Sequence, residues 1–336
     1  MFDATQVAAV KEGIPKLDLG RPFDSLTPVP TCVSDYLEFY GFFETLKSIP
    51  ADYYWGYRHC VIRGEKYRIA SHFWRLPQAK GSVLIAHGLF DHVGLFQGLI
   101  RYCLSQGYSV VAVDLPGHGM SDGLPAAIES FDDYALVLKS TLQAFEDQMA
   151  VPIFGLGQST GAAMLMNLVF ACERGEWTSP FDRLIFMGPL VRPRSWPSAR
   201  VVYRLFGRFL SSVQRNFSSP NSHDDEFHRF LCDHDPLQAR RIPVSWVRAL
   251  NEWVDNFPSQ PKVETPLLVI QGTADRVVDW RFNIPTIQEH FLNAQVNYIE
   301  GAKHHLPNEA EPWRNTIFTS VGQFFRQRAV SMADLA

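Results

Sequence analysis

From residue 83 onward, short apolar runs alternate with stretches of helical periodicity. Val83–Ala86, Ser109–Val113, Ile153–Leu156, Leu184–Met187, Leu267–Ile270 and Val296–Ile299 have strand length and are mostly apolar. Between them lie Gly94–Gln106, Phe131–Met149, Thr160–Cys172 and Arg281–Leu292. These repeat apolar residues every three or four positions, as in Tyr134, Leu138, Leu142 and Phe145. A last helical stretch covers Pro312–Arg328. The alternation reads as βαβ units, and strands apolar on both faces belong in a parallel sheet covered by helices on both sides. It lapses between about Leu190 and Pro261, a stretch rich in Arg, Trp, Pro and Ser that reads as helices only. The expected organisation is an N-terminal extension (1–57) that is irregular over residues 1–50, a core (58–189 and 262–336) and a helical cap, or lid, over the sheet (190–261).

Composition narrows the classes. Of 336 residues, 46% are hydrophobic and 20% charged, too apolar a balance for a disordered chain. Lys and Arg number 31 against 35 Asp and Glu, a net charge of −4, so a nucleic-acid partner is not expected. No apolar run reaches the ~18 residues of a membrane-spanning helix. The first residues lack the basic head and apolar core of a secretory signal. The five cysteines are dispersed with no CxxC pair, which suits reduced thiols in the cytoplasm.

The pattern G-x-S-x-G occurs at residues 119–123 and 157–161. It carries chemistry only where a strand turns sharply into a helix and lifts the serine above the sheet edge. Ser159 has that context, with a strand before it and an unbroken helical stretch after it. The helix N-terminus adds a partial positive field at the reacting centre. Ser121 lacks the context, because Gly123 and Pro125 prevent an immediate helix, and it is expected to be a loop serine.

A serine hydroxyl needs an imidazole to take its proton, and the imidazole needs a carboxylate to fix its tautomer. On this kind of sheet the chain order is serine, acid, histidine. Asp275 comes first after the strand at 267–270 and is the expected acid. Asp279 is the runner-up, placed to N-cap the helix opening near Trp280. After the last strand, His304 and His305 compete; the loop position after Gly301 favours His304, with His305 pointing away. The oxyanion of a tetrahedral intermediate needs two main-chain donors. The expected donors are the N–H groups of Leu89, in the loop after the first strand, and of Thr160, after the nucleophile. His87 is expected to shape its loop and not to act as a base.

Four motifs together carry a resemblance: HGLFDH (87–92), DLPGHGMSDG (114–123), GQSTGA (157–162), and GTADRVVD (272–279) with GAKHHLPNE (301–309). The chain resembles serine hydrolases of the α/β-hydrolase superfamily. It is most similar to the branch of monoacylglycerol lipases, lysophospholipases and serine aminopeptidases. The resemblance spans residues 87–309 and is weak before about residue 58. It implies a mostly parallel central sheet flanked by helices, with a helical lid insertion and a Ser159–His304–Asp275 triad. In this family DLPGHG is a structural loop, and the last loop reads G-x-x-H, which selects His304. Two departures stand out. The elbow has Gln158 where histidine is commoner, and Phe90 stands where a second glycine is frequent.

Within the insertion, Arg200, Arg204 and Arg208 fall at helical spacing, with Arg215 on the same side. Val202, Leu205, Phe206, Phe209 and Val213 fall opposite, and no Asp or Glu lies between Asp182 and Asp224. This is the pattern of a basic amphipathic helix, either a lid helix with its apolar face over the pocket or a peripheral contact with an anionic membrane. The acid and histidine run at 223–235 matches no compact zinc spacing, and a triad needs no metal or cofactor. The expected activity is hydrolysis of a single-chain acyl ester, a monoacylglycerol or lysophospholipid. The rivals are a serine aminopeptidase using Asp224, Asp225 and Glu226 for an α-amine, and an inactive ligand-binding protein on the same fold. The sequence sets no oligomeric state.

Overall fold

In the computed structural model, residues 2–23, 27–215 and 219–327 are described. Three helices come first: α1 (Val7–Gly13), α2 (Thr31–Phe39) and α3 (Phe42–Ser48). A hairpin of β1 (Asp52–Ile62) and β2 (Glu65–Arg75) follows, paired antiparallel from Asp52 with Arg75 to Ile62 with Glu65. Its two-residue turn places Arg63 at φ 50° and Gly64 at φ 84°, the double left-handed geometry that suits the twist of a tight hairpin.

The alternating part then runs β3 (Ser82–Ala86), α4 (Gln97–Ser105), β4 (Ser109–Val113), α5 (Phe131–Phe145), β5 (Ile153–Gln158), α6 (Thr160–Glu173) and β6 (Arg183–Met187). The insertion holds α7 (Trp196–Phe206), β7 (Ser212–Gln214), α8 (Asp225–Arg229), β8 (Arg241–Pro243) and α9 (Val244–Asn256). The chain returns to the sheet through β9 (Leu267–Gly272), α10 (Trp280–His290), β10 (Ala294–Ile299) and α11 (Trp313–Arg326). Eight strands form one sheet in the order β1-β2-β4-β3-β5-β6-β9-β10. The hairpin joins antiparallel at β4, and every pairing from β4 to β10 is parallel.

Strand periodicity divides the core in two. Leu84, Ala86, Val111 and Val113 face one apolar layer, under α5, α6, α9 and α10. Val83, Ile85, Val110 and Ala112 face the other, under α1–α4 and α11. Both faces are therefore dry, which explains why the central strands read as continuous apolar runs.

Three expectations change. The first 50 residues are not without regular structure: α1–α3 bury Val10, Val33, Tyr36, Leu37 and Phe42 against the hairpin, with the Phe42 ring parallel to Trp74 at 6.2 Å. The boundary expected at 57/58 falls inside β1, so the sheet begins at Asp52. The insertion is not helical only, because β7 and β8 pair into an antiparallel ribbon. Its last helix packs against the core. On α9, Trp246, Ala249, Leu250 and Trp253 are buried at helical spacing, and Trp253 stacks on Phe131 of α5 at 5.4 Å.

Candidate active site

The parallel strands end on one edge of the sheet, and the loops leaving β3, β5, β9 and β10 converge there. β5 passes into α6 at Ser159, whose φ of 54° is forced by the tight reversal. The turn leaves no room beside it. A Cβ on Gly161 would sit 2.0 Å from the Ala86 carbonyl oxygen, and one on Gly157 would sit 2.5 Å from the Ala162 amide nitrogen. The flanking glycines of the motif follow from this crowding.

The Ser159 hydroxyl lies 3.0 Å from His304 Nε2, and His304 Nδ1 lies 2.7 Å from Asp275 Oδ2. The structure thus brings together three groups separated by as many as 145 positions in the chain. Asp275 is anchored from behind. Its Oδ1 accepts from the amides of Val277 and Val278, and its Oδ2 also accepts from Gln271 Nε2. Burial alone would raise this carboxyl, but the His304 imidazole and these donors hold it below its ordinary value. Burial would likewise depress His304; the adjacent Asp275, and Asp91 beyond it, raise the ring above its ordinary value instead. Gln158, the residue that departs from the commoner motif, donates its Nε2 to the His304 carbonyl at 2.9 Å and ties the elbow to the histidine loop.

The competing residues are spent elsewhere. The Asp279 carboxylate makes no cap bond to α10 and pairs instead with Arg192 at 2.7 Å. His305 is buried, its Nε2 3.2 Å from Asp91 Oδ1. The Ser121 hydroxyl donates to the Asp114 carbonyl and accepts from the Ala70 amide, a loop-fixing role. His87 donates from Nδ1 to the Gly88 carbonyl and accepts the Leu115 amide at Nε2; burial takes it down to about 3, and it shapes its loop as a neutral ring.

The amides of Leu89 and Thr160 border the same cavity as Ser159, and neither donates to an acceptor among the described residues. Between Leu89 and Asp91 the chain turns through Phe90 at φ 71°, a conformation that favours glycine. Two insertion residues hold it there. Gln238 Nε2 donates to the Phe90 carbonyl at 3.0 Å, and the Arg215 guanidinium lies 4.0 Å over the ring. Arg215 was expected on the solvent side of one long basic helix. The helix instead ends at Phe206, the chain folds back through β7, and Arg215 is carried into the cavity wall. Gln238 in turn bonds Asp235, a buried carboxylate that also accepts from the Tyr40 hydroxyl at 2.7 Å and lies 3.1 Å from His92 Nε2. The sequence offered no signal for this chain of contacts, because its members lie far apart and share no motif.

The cavity over Ser159 measures about 330 Å³. The apolar part of its wall comes from Leu89, Leu190, Leu231, Ile242, Trp246 and Val278. Leu231, Ile242 and Trp246 come from the insertion, and among the described residues none of α7 lines it. Among the described residues no cluster of three or more His, Cys, Asp or Glu is placed to hold a metal ion. No described helix is long and apolar enough to cross a membrane.

Residues 77–311 match the family described as serine aminopeptidase, S33. A monoglyceride lipase homolog of monkeypox virus is 26% identical over 273 residues, covering 78% of this chain and 96% of that protein. The monoglyceride lipase of Homo sapiens is 26% identical over 302 residues, covering 85% and 95%. A solved structure of a soluble variant of monoglyceride lipase from Saccharomyces cerevisiae superposes with a TM-score of 0.68 at 16% identity, covering 82% of this chain and 96% of that one. That last likeness is one of fold: an eight-stranded, mostly parallel sheet flanked by helices. With the family match extending over more than half of its residues, this chain belongs to the serine aminopeptidase S33 family of α/β-hydrolase-fold proteins.

Proposed function

We propose that the protein is a serine carboxylic-ester hydrolase acting on a single-chain acyl ester, a monoacylglycerol or lysophospholipid. The observation that carries this reading is the unbroken hydrogen-bonded series from Ser159 Oγ through the His304 ring to Asp275. It opens onto a cavity of about 330 Å³ to which leucine, isoleucine, valine and tryptophan side chains contribute.

Ser159 Oγ attacks the acyl carbonyl carbon while its proton passes to His304 Nε2. Asp275 keeps the other ring proton on Nδ1 and stabilises the imidazolium. The carbonyl oxygen takes up negative charge between the N–H groups of Leu89 and Thr160. His304 then gives its proton to the leaving alcohol oxygen, and the acyl group stays on Ser159. A water loses a proton to His304 and attacks the acyl-enzyme. The fatty acid departs, and His304 returns the proton to Ser159. Ser159→Ala should lower ester turnover on the order of 10³-fold or more with the fold intact by circular dichroism. Equal turnover by the variant would sink the assignment.

The monoglyceride lipases among the relatives favour an acyl-glycerol type of ester over a peptide. Asp224, Asp225 and Glu226, which an aminopeptidase would turn to an α-amine, are absent from the cavity wall, and Asp224 is occupied in capping α8 through the Phe227 amide.

We assign residues 190–261 as the cap of this site, supported by its contribution of Leu231, Ile242 and Trp246 to the cavity. The cap also presents a surface for an anionic bilayer. Val201, Leu205 and Phe209 are 56%, 61% and 70% exposed, with Leu210 and Val213 also exposed; the basic Arg204 is exposed on the helix of Val201 and Leu205, while its neighbour Arg200 pairs with Asp255. The side chains of Val202, Phe206 and Arg208 lie outside the described set. Five cysteines, all free, support a reducing cytoplasmic setting.

A further inference from the structure

A second hollow of about 300 Å³ adjoins the first. It is lined by Ser219, Asn221, His223, Arg276, Lys303 and His304, together with Pro220 and Ala274. Four of these, Ser219, Asn221, Arg276 and His304, also line the cavity over Ser159, so the two spaces meet at the catalytic imidazole. Their characters differ. The inner cavity carries the leucine, isoleucine, valine and tryptophan side chains, and of the two arginines on its wall Arg276 is shared with the outer hollow while Arg215 lies in the field of the Asp91 carboxylate. The outer hollow carries the Arg276 guanidinium, the Lys303 ammonium and the imidazoles of His223 and His304, and among the described residues no carboxylate lines it.

The basic groups are available to a ligand. The Arg276 side chain is exposed and has no acceptor among the described residues. Lys303 Nζ donates to the Ser222 carbonyl at 2.9 Å, which leaves two of its three N–H bonds. His223 is fixed at the hollow by two contacts. Its ring lies parallel to Trp313 at 4.3 Å, and its Nδ1 meets Glu309 at 2.9 Å, which turns Nε2 away from that carboxylate. Glu309 is fully buried and already accepts from the amides of His223, Lys303 and Ala310, so it acts as the fixed base of this arrangement.

An ester bound with its acyl chain in the apolar cavity and its carbonyl at Ser159 must send its alcohol portion past His304, the group that protonates it. The alcohol portion would then enter the basic hollow. We propose that this hollow is a headgroup subsite for a phosphate, and that the preferred substrate is therefore a single-chain ester with an anionic phosphodiester headgroup and not a neutral glycerol. This rests on the ester-hydrolase reading of the Ser159 site and deepens it. The planar fork of Arg276 suits two phosphate oxygens, and Lys303 adds a point charge beside it.

The test compares lysophosphatidylglycerol with the monoacylglycerol of the same acyl chain, both below their micellar concentrations. The wild type should show the higher kcat/KM on the anionic ester, and the preference should shrink as salt is raised. Arg276→Gln combined with Lys303→Gln should lower the ratio of the two kcat/KM values about tenfold. Arg276→Glu, should the double variant be unstable, should lower it at least as far. An unchanged ratio, or a wild-type preference for the neutral ester, overturns the headgroup assignment while leaving ester hydrolysis standing. Failure of the wild type to exceed Ser159→Ala on either ester would instead bring down the underlying reading.

Discussion

In the proposed mechanism His304 must be uncharged to take the Ser159 proton, and its surroundings pull in opposite directions. Burial disfavours the imidazolium, while Asp275 at 2.7 Å and the more distant Asp91 favour it, with a net rise above 6.5. A base whose affinity for protons is raised stays protonated, and so inactive, to a higher pH. The acid limb of kcat/KM should accordingly have its midpoint above 6.5, the ordinary histidine value. Asp275→Asn removes the main source of that rise. It should shift the limb towards lower pH and cut kcat by roughly 10⁴-fold, because the ring loses the partner that fixes its tautomer. A pH–rate series on both proteins checks this, and a wild-type midpoint below 6.5 would contradict it. At the same scale the elbow position of Ser159 was legible in advance. Ser159 and Ser121 share a motif, and only the strand-to-helix context separates them. Asp275 and Asp279 were separable by order alone. The sequence had no means of showing that Asp279 leaves its cap unmade to pair with Arg192.

Loops joined to elements raise a different question, since the loop of the proposed oxyanion donor Leu89 is held by residues of the insertion. Phe90 occupies a left-handed conformation at a cost of about 1 kcal/mol for a residue other than glycine. The Gln238 bond to its carbonyl and the Arg215 stack on its ring offset that cost. Gln238→Ala should therefore loosen the Leu89 donor and lower kcat about tenfold, a fraction of the loss from deleting an oxyanion donor outright. Stopped-flow acylation of a p-nitrophenyl ester would measure it; an acylation rate equal to wild type would mean that the loop holds itself. The β1–β2 hairpin shows why some elements escaped the sequence reading. Its residues are aromatic and charged instead of evenly apolar, so periodicity passed over them. The Arg63-Gly64 pair between two aromatic-rich runs was the signal present.

At the scale of the molecule, the first fifty residues act as a brace. Tyr40 reaches Asp235 in the insertion, and Phe42 covers Trp74 on the sheet. Removing residues 1–49 should expose Tyr53, Trp55 and Trp74, and the product should aggregate on gel filtration or melt well below the full chain. A monodisperse product with the same Tm would show the segment to be dispensable. The cap surface makes a separate prediction. Sedimentation with phospholipid vesicles should rise with their content of anionic lipid and fall in Leu205→Asp combined with Phe209→Asp. No binding at low salt would remove the membrane role and leave the cap over the cavity untouched.

What the sequence determined by itself is what repeats or borders locally. Apolar runs specified the parallel strands, spacing specified the helices, and the elbow glycines specified the one place a serine could be lifted above the sheet. These are read from neighbours along the chain, where sterics and periodicity act. Tertiary structure alone decided which side chains meet across long separations. It turned Arg215 from a surface charge into a wall of the cavity, gave Phe90 its clamp, and set Arg276 and Lys303 around one hollow. Such meetings depend on where loops from different strands end in space, and no local property of the chain encodes that.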